Sequence, residues 1–126
     1  MAYGRKISGG KYHKQKKKKK HALPGIERKV KLRETKQKVV RDRSGTKRAV
    51  LLSSDYANVI DLKTKKSTKT KIKNVLETPS NRFFARQNIL LKSAIIETEL
   101  GKAKITNRPS QEGSVQAVLL NIDKSK

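Results

Sequence analysis

The segment Ala94-Ile95-Ile96-Glu97-Thr98-Glu99-Leu100-Gly101-Lys102-Ala103-Lys104-Ile105-Thr106 decides how the rest of this chain is read. Apolar and charged residues alternate on both sides of Leu100-Gly101, the period of two that a half-buried strand requires. Pairing Glu99 with Lys102 also sets Glu97 opposite Lys104 on one face and Ile96 opposite Ile105 on the other. Each cross-strand pair contributes only about 0.2–1 kcal/mol, but a slip of one residue inverts both faces at once, so a hairpin register is specified. Leu-Gly is not a favoured two-residue turn, which leaves two connections open: a turn at Leu100-Gly101 itself, or a four-residue loop with the same register.

The same period extends in both directions. Upstream, Ile26, Arg28, Val30 and Leu32 alternate with Glu27, Lys29, Lys31 and Arg33. Residues 38–42, a Ser44-Gly45 turn and residues 47–53 read as a second hairpin, with Val40 facing Ala49, Val39 facing Val50 and Asp42 facing Lys47. Further strands are expected at residues 58–61, 68–77, 89–91 and 114–122, with a basic turn at 62–66. One short helix interrupts them: Thr78 is placed to cap it, Pro79 suits its first position, and it runs to about Gln87. The expected fold is mainly β, a small antiparallel six-stranded β-barrel or sandwich with one short helix and a basic disordered N-terminal extension. Residues 1–25 form that tail and residues 26–126 a single β-barrel domain.

Charge divides the chain at the same place. Of 126 residues, 33 are Lys or Arg and 10 are Asp or Glu, a net charge of +23. An excess of that size repels itself in any compact state and implies a polyanionic partner. Residues 1–50 hold 19 of the basic residues against 3 acids. Residues 1–25 have nine and no acid, and Ile7 and Leu23 are their only Leu, Ile, Val or Phe. Such a segment cannot bury enough apolar surface to offset the entropy of ordering, so it is read as disordered when free and ordered on RNA.

Several function classes are excluded. The absence of cysteine removes disulfides, thiol nucleophiles and Cys-based zinc sites. The longest apolar runs, residues 49–52 and 117–120, are far shorter than the roughly 20 residues of a membrane-spanning helix, and residues 7–25 supply no signal-peptide apolar stretch. His13 and His21 both lie in the lysine tail, without the rigid partner a metal-binding or catalytic histidine needs. Glu97 and Glu99 share a strand face as an acid–base pair would, but the hairpin register places a lysine opposite each. No phosphate-cradling glycine loop and no nucleophile elbow occurs. The chain is therefore read as no enzyme, with no cofactor and no metal.

Nucleic-acid binding is carried by several groups. In the tail, Arg5, Lys6, Lys11, Lys14, Lys16, Lys17, Lys18, Lys19 and Lys20 can each neutralise a phosphate and release condensed counterions. Gly9 and Gly10 suit a backbone that follows another surface closely. Tyr12 and His13, with Tyr3 and His21, are interleaved with these charges and suit stacking on the splayed bases of RNA. Arg41, Arg43, Lys47 and Arg48 cluster about the Ser44-Gly45 turn, where a planar guanidinium grips phosphate with two hydrogen bonds. Arg82 and Arg86 stack at helical spacing. Phe83 and Phe84 are adjacent, so at most one points inward, and at least one is assigned to the core, with base stacking as the alternative; Tyr56 is assigned to the core edge. On charge alone, a non-specific duplex-DNA binder is a further reading.

A resemblance runs through these same residues. Ile7-Ser8-Gly9-Gly10-Lys11 with the lysine run, Arg41-Asp42-Arg43-Ser44-Gly45-Thr46-Lys47-Arg48, the Ala94-to-Thr106 segment, and Arg108-Pro109-Ser110-Gln111-Glu112-Gly113 together resemble the S8e family of small-subunit ribosomal proteins, in its shorter archaeal form. The resemblance covers nearly the whole chain. It implies a structural constituent of the small ribosomal subunit, cytoplasmic within the ribosome, whose partners are small-subunit rRNA and neighbouring ribosomal proteins. Membranes, small-molecule substrates and homo-oligomers are not expected. Carried over by position, the basic glycine tail falls on Gly9, Gly10, Lys11 and Lys16 to Lys20, and the basic turn on Arg41, Arg43, Lys47 and Arg48; Arg108 is counted with the RNA-binding set. The chain departs from the family pattern at Ser44-Gly45-Thr46, where two glycines and an Asn are usual, and at Ala22-Leu23-Pro24-Gly25. The family's other branch, ribosome assembly factors acting on large-subunit precursors, is the alternative.

Overall fold

The computed structural model describes residues 4–13, 16–25 and 27–120. Tyr3, Lys14, Ile26 and Ile122, named above, lie outside the described residues. In chain order the elements are β1 (Val30–Leu32), β2 (Lys36–Arg41), β3 (Lys47–Ser54), β4 (Tyr56–Ile60), β5 (Ser67–Glu77), α1 (Arg82–Arg86), β6 (Ile89–Leu90), β7 (Ile95–Thr98), β8 (Gly101–Ile105), α2 (Pro109–Glu112) and β9 (Gln116–Leu119).

Strands β4, β5, β7, β8 and β9 close into a barrel in that order. Neighbours pair antiparallel until β9, which runs parallel to β4 with Asn58 opposite Gln116 and Val59 opposite Ala117. Alternation explains the interior: Ala57, Val59, Ile72, Val75, Ile96, Ala103, Ile105 and Ala117 point inward and are buried. Alanines at three of these positions let a five-stranded barrel close around β-branched side chains without overfilling its narrow bore.

Strands β2, β3, β1 and β6 form a second sheet, and β1 runs parallel to β3. A bulge interrupts its register: Lys36 faces Ser53 but Gln37 faces Leu51, so Leu52 is the extra residue. The bulge turns Leu51 toward the barrel, where it joins Val30, Leu90 and the barrel side chains in one aliphatic core. The last helix, α2, locks this arrangement. Pro109 starts it and Gly113 ends it in a left-handed conformation (φ +76°). Gly113 lies so near β3 that a Cβ there would sit 3.4 Å from the Ala49 carbonyl oxygen.

The structure corrects several expectations. Among the described residues there are nine strands rather than six, in a barrel plus a second sheet, two pairings are parallel, and a second helix exists at α2. The β2–β3 hairpin is shifted by one residue, so Val39 faces Ala49, Val40 faces Arg48 and Arg41 faces Lys47. The reason is a three-residue loop: Asp42 N–H bonds the Thr46 carbonyl (2.8 Å), Gly45 N–H bonds the Asp42 carbonyl (3.0 Å), and Gly45 takes φ +87° as the third loop residue. The β7–β8 hairpin is shifted by two, with Glu97 opposite Lys102, Ile96 opposite Ala103 and Thr98 opposite Gly101. The turn is Glu99-Leu100, and the Thr98 hydroxyl donates to the Gly101 carbonyl at 2.8 Å. A two-residue shift keeps the faces, so Ile96 and Ile105 are buried as expected. The short helix starts later than Thr78: the Asn81 side chain caps it by accepting from Phe83 N–H at 2.9 Å, and buried Thr78 bonds the Asn81 carbonyl instead. Tyr56 stands on the outer face of the barrel, not at the core edge.

Within the tail, the described residues carry local backbone structure and are exposed throughout. Lys6 N–H bonds the Gly10 carbonyl and Gly9 N–H bonds the Lys6 carbonyl, both at 2.8 Å, so Arg5 and Lys11 face one another across a tight turn. Gly9 supplies the positive φ of +79°. A single 3-10 turn follows at Lys20–Ala22.

Candidate nucleic-acid interface

Every described lysine and arginine is exposed. Among the described residues only two ion pairs fall within 4.0 Å: Lys29 with Glu27 at 3.9 Å, and Arg48 with Asp42 at 3.4 Å. Glu97 and Glu99, assigned lysine partners from sequence, are exposed and outside these two pairs. Among the described residues the cationic surface is thus almost entirely uncompensated.

The β2–β3 tip gathers four of the expected residues. Arg41 and Lys47 are cross-strand partners, Arg43 is in the loop, and Arg48 follows on the opposite face. The turn is compact because Ser44 Oγ bonds Thr46 Oγ1 at 3.2 Å beneath it. Arg48 shares its charge with Asp42, so Arg41, Arg43 and Lys47 are the cations left free at this tip. Behind it, register places Lys31, Lys36, Lys38 and Arg48 on one face of the second sheet, over buried Val50 and Ile89. Sequence reading missed this face, because the bulge at Leu52 decides which side each residue takes.

Arg82 and Arg86 sit one turn apart on α1, both exposed. Arg108, preceding α2, lines an open cleft of about 440 Å³ together with Arg28, Lys92 and Glu27. Arg28 and Lys92 were not in the expected set. They come from distant positions, and no local signal marks them. On the barrel, Lys69 and Lys71 project outward beside Tyr56, and the β4–β5 turn adds Lys63, Lys65 and Lys66. Asp61 organises that turn: its carboxylate accepts from Lys63 N–H (2.9 Å) and from the Thr64 hydroxyl (3.0 Å), which holds its carboxyl below the usual aspartate range. In the tail, Arg5 reaches the Gly9 carbonyl at 3.5 Å, Lys6 lies over the Tyr12 ring, and His13 and Lys16 to Lys20 are exposed.

Among the described residues no cluster of His, Asp or Glu is arranged to hold a metal ion, and no helix is long and apolar enough to cross a membrane. Basic turns and an exposed basic tail on a small β body are what remain, and the family comparison agrees with them. The model of the ribosomal protein S8e family matches residues 2–120. This chain belongs to the S8e family. Its relatives include the small ribosomal subunit protein eS8 of Methanococcus aeolicus, 46% identical over 118 residues that cover 93% of this chain and 92% of the relative. The eS8 of Sulfolobus acidocaldarius is 44% identical, covering 92% and 91%, and that of Pyrobaculum aerophilum 43%, covering 92% and 90%. For an S8e chain, the archaeal form expected from its length and motifs is the form these relatives have.

Proposed function

We propose that this chain is a structural constituent of the small ribosomal subunit, in the cytoplasm, that binds and stabilises rRNA. The observation that carries the reading is the exposure of every described lysine and arginine, with only two ion pairs among them. A surface of that kind is stable in company with phosphates, whose neutralisation releases counterions. Residues 1–25 act as an extension that orders on RNA, and residues 26–126 act as the body that docks by shape. The contact set is Arg5, Lys6, Gly9, Gly10, Lys11, Tyr12, His13, Lys14 and Lys16 to Lys20 in the extension. From the body come Arg41, Arg43, Lys47, Arg48, Arg82, Arg86 and Arg108, with neighbouring ribosomal proteins completing the surroundings. No catalytic step is assigned to it.

Competition binding at near-physiological salt tests this. Transcribed small-subunit rRNA is expected to displace both large-subunit rRNA and duplex DNA, with affinity falling steeply as salt rises. Equal competition by duplex DNA overturns the reading. Gradient fractionation tests the location: recovery on large-subunit precursors, with none on mature small subunits, assigns the chain to assembly instead.

A further inference from the structure

The aliphatic core contains none of the described aromatic residues. Of the four described aromatics, Tyr12, Tyr56 and Phe83 are exposed and Phe84 is half-buried, and each has a cation over its ring: Lys6 over Tyr12 at 5.8 Å from the centroid, Lys69 over Tyr56 at 4.8 Å, Lys29 over Phe84 at 4.7 Å and Arg82 over Phe83 at 5.6 Å. Aromatic side chains ordinarily contribute most to a core, so leaving all four outside it calls for another use. The most exposed of those on the folded body is Phe83, at 54%.

Its setting is rigid. Asn81 caps α1, and Ala85 packs against the core while Phe84 is half-buried. Successive helical residues point about 100° apart, so anchoring the helix through Phe84 and Ala85 commits Phe83 to solvent. Arg82 and Arg86 flank it, one turn apart and both exposed.

We propose that Phe83 is a stacking platform for an unstacked RNA base, with Arg82 and Arg86 taking the phosphates on either side of that nucleotide. The inference rests on the rRNA-binding reading and adds a contact that charge alone does not supply. An aromatic face beside two guanidiniums uses every part of a nucleotide: the ring stacks on the base, Arg82 turns from the ring to one phosphate, and Arg86 holds the other. An apolar side chain of a neighbouring protein would use the ring and leave both charges without partners.

The chain has no tryptophan, so Phe83→Trp carries a single indole reporter. On titration with transcribed small-subunit rRNA its emission is expected to be quenched in step with binding. Phe83→Ala is expected to weaken binding about five- to a hundredfold, with the dependence of log affinity on log salt unchanged, because stacking releases no counterions. Arg82→Ala is expected to lower that dependence by about one contact. Quenching that requires a second ribosomal protein, or undiminished binding by Phe83→Ala, overturns the proposal. So does unchanged emission at saturating RNA, and in that case binding itself still stands. If the parent chain fails to bind the rRNA, both readings fall together. Thermal melts of the two Phe83 variants confirm that they fold.

Discussion

Gln37 on β2 donates a 2.6 Å hydrogen bond from Nε2 to the carbonyl of Gly113 at the end of α2. Together with the approach of Gly113 to the Ala49 backbone, it ties a one-turn helix from the far end of the chain onto the β2–β3 sheet. A four-residue helix has no stability of its own, so its position depends on contacts such as these two, the burial of Pro109 and the bond from Asn107 to Glu112. Gly113→Ala places a Cβ on a left-handed residue and against the Ala49 oxygen, and is expected to cost about 1–2 kcal/mol. Gln37→Ala is expected to cost about 1 kcal/mol. Denaturant titration checks both, and a Gly113→Ala chain as stable as the parent would remove α2 from the structural account.

Thr70 is buried in the barrel wall and its hydroxyl has no hydrogen-bond partner among the described residues. Replacing it with valine keeps the shape and removes a desolvated polar group. Thr70→Val is expected to raise stability by about 1 kcal/mol. A loss in the melting temperature would show that the hydroxyl is satisfied in solution.

At the β2–β3 tip, Arg41 and Lys47 face one another while Arg48 is drawn to Asp42. Substituting Arg41 and Lys47 together with alanine is expected to reduce the salt dependence of rRNA affinity by about two contacts, with little change in thermal stability. Asp42→Asn releases Arg48 and is expected to strengthen binding. Because that ion pair is half-exposed, breaking it should cost no more than about 1 kcal/mol. Unchanged salt dependence in the double variant would take this tip off the binding face.

Asp61 gives a pH prediction. Its carboxyl titrates below the usual aspartate range in the folded chain, first through the Lys63 N–H and then through the Thr64 hydroxyl. A depressed folded value means that its contribution is present above the unfolded value of about 3.9 and is lost as pH falls through the folded one. Nuclear magnetic resonance titration should find the Asp61 midpoint below those of freely exposed aspartates. Thr64→Val should move it upward, and a midpoint that stays put would exclude the hydroxyl as a cause.

Alternation alone was enough to identify Ile96 and Ile105 as inward-facing and to place both hairpins. Registers were not, because each depends on one glycine. Gly45 is the third residue of its loop, and Gly101, at φ +130°, lies just outside its turn. The signals for α2, a proline at the start and a glycine after the end, were present in Arg108-Pro109-Ser110-Gln111-Glu112-Gly113 but span a single turn. Parallel pairing of β4 with β9 leaves no local trace at all. The basic tip was legible because its four cations are neighbours in the chain. The face built from Lys31, Lys36, Lys38 and Arg48 was not, since it exists only once β1, β2 and β3 are aligned.

The seam between β4 and β9 also sets an order of events during synthesis. Asn58 cannot meet Gln116 until nearly all of the described chain has been made, so the barrel is the last thing to close. Until then the nascent protein carries an open sheet with two free edges, the kind of intermediate that invites mispairing with other chains. The polycationic segment emerges long before that point. If the chain binds rRNA as proposed, early engagement would hold it in a highly charged, solvated setting while its last strand arrives.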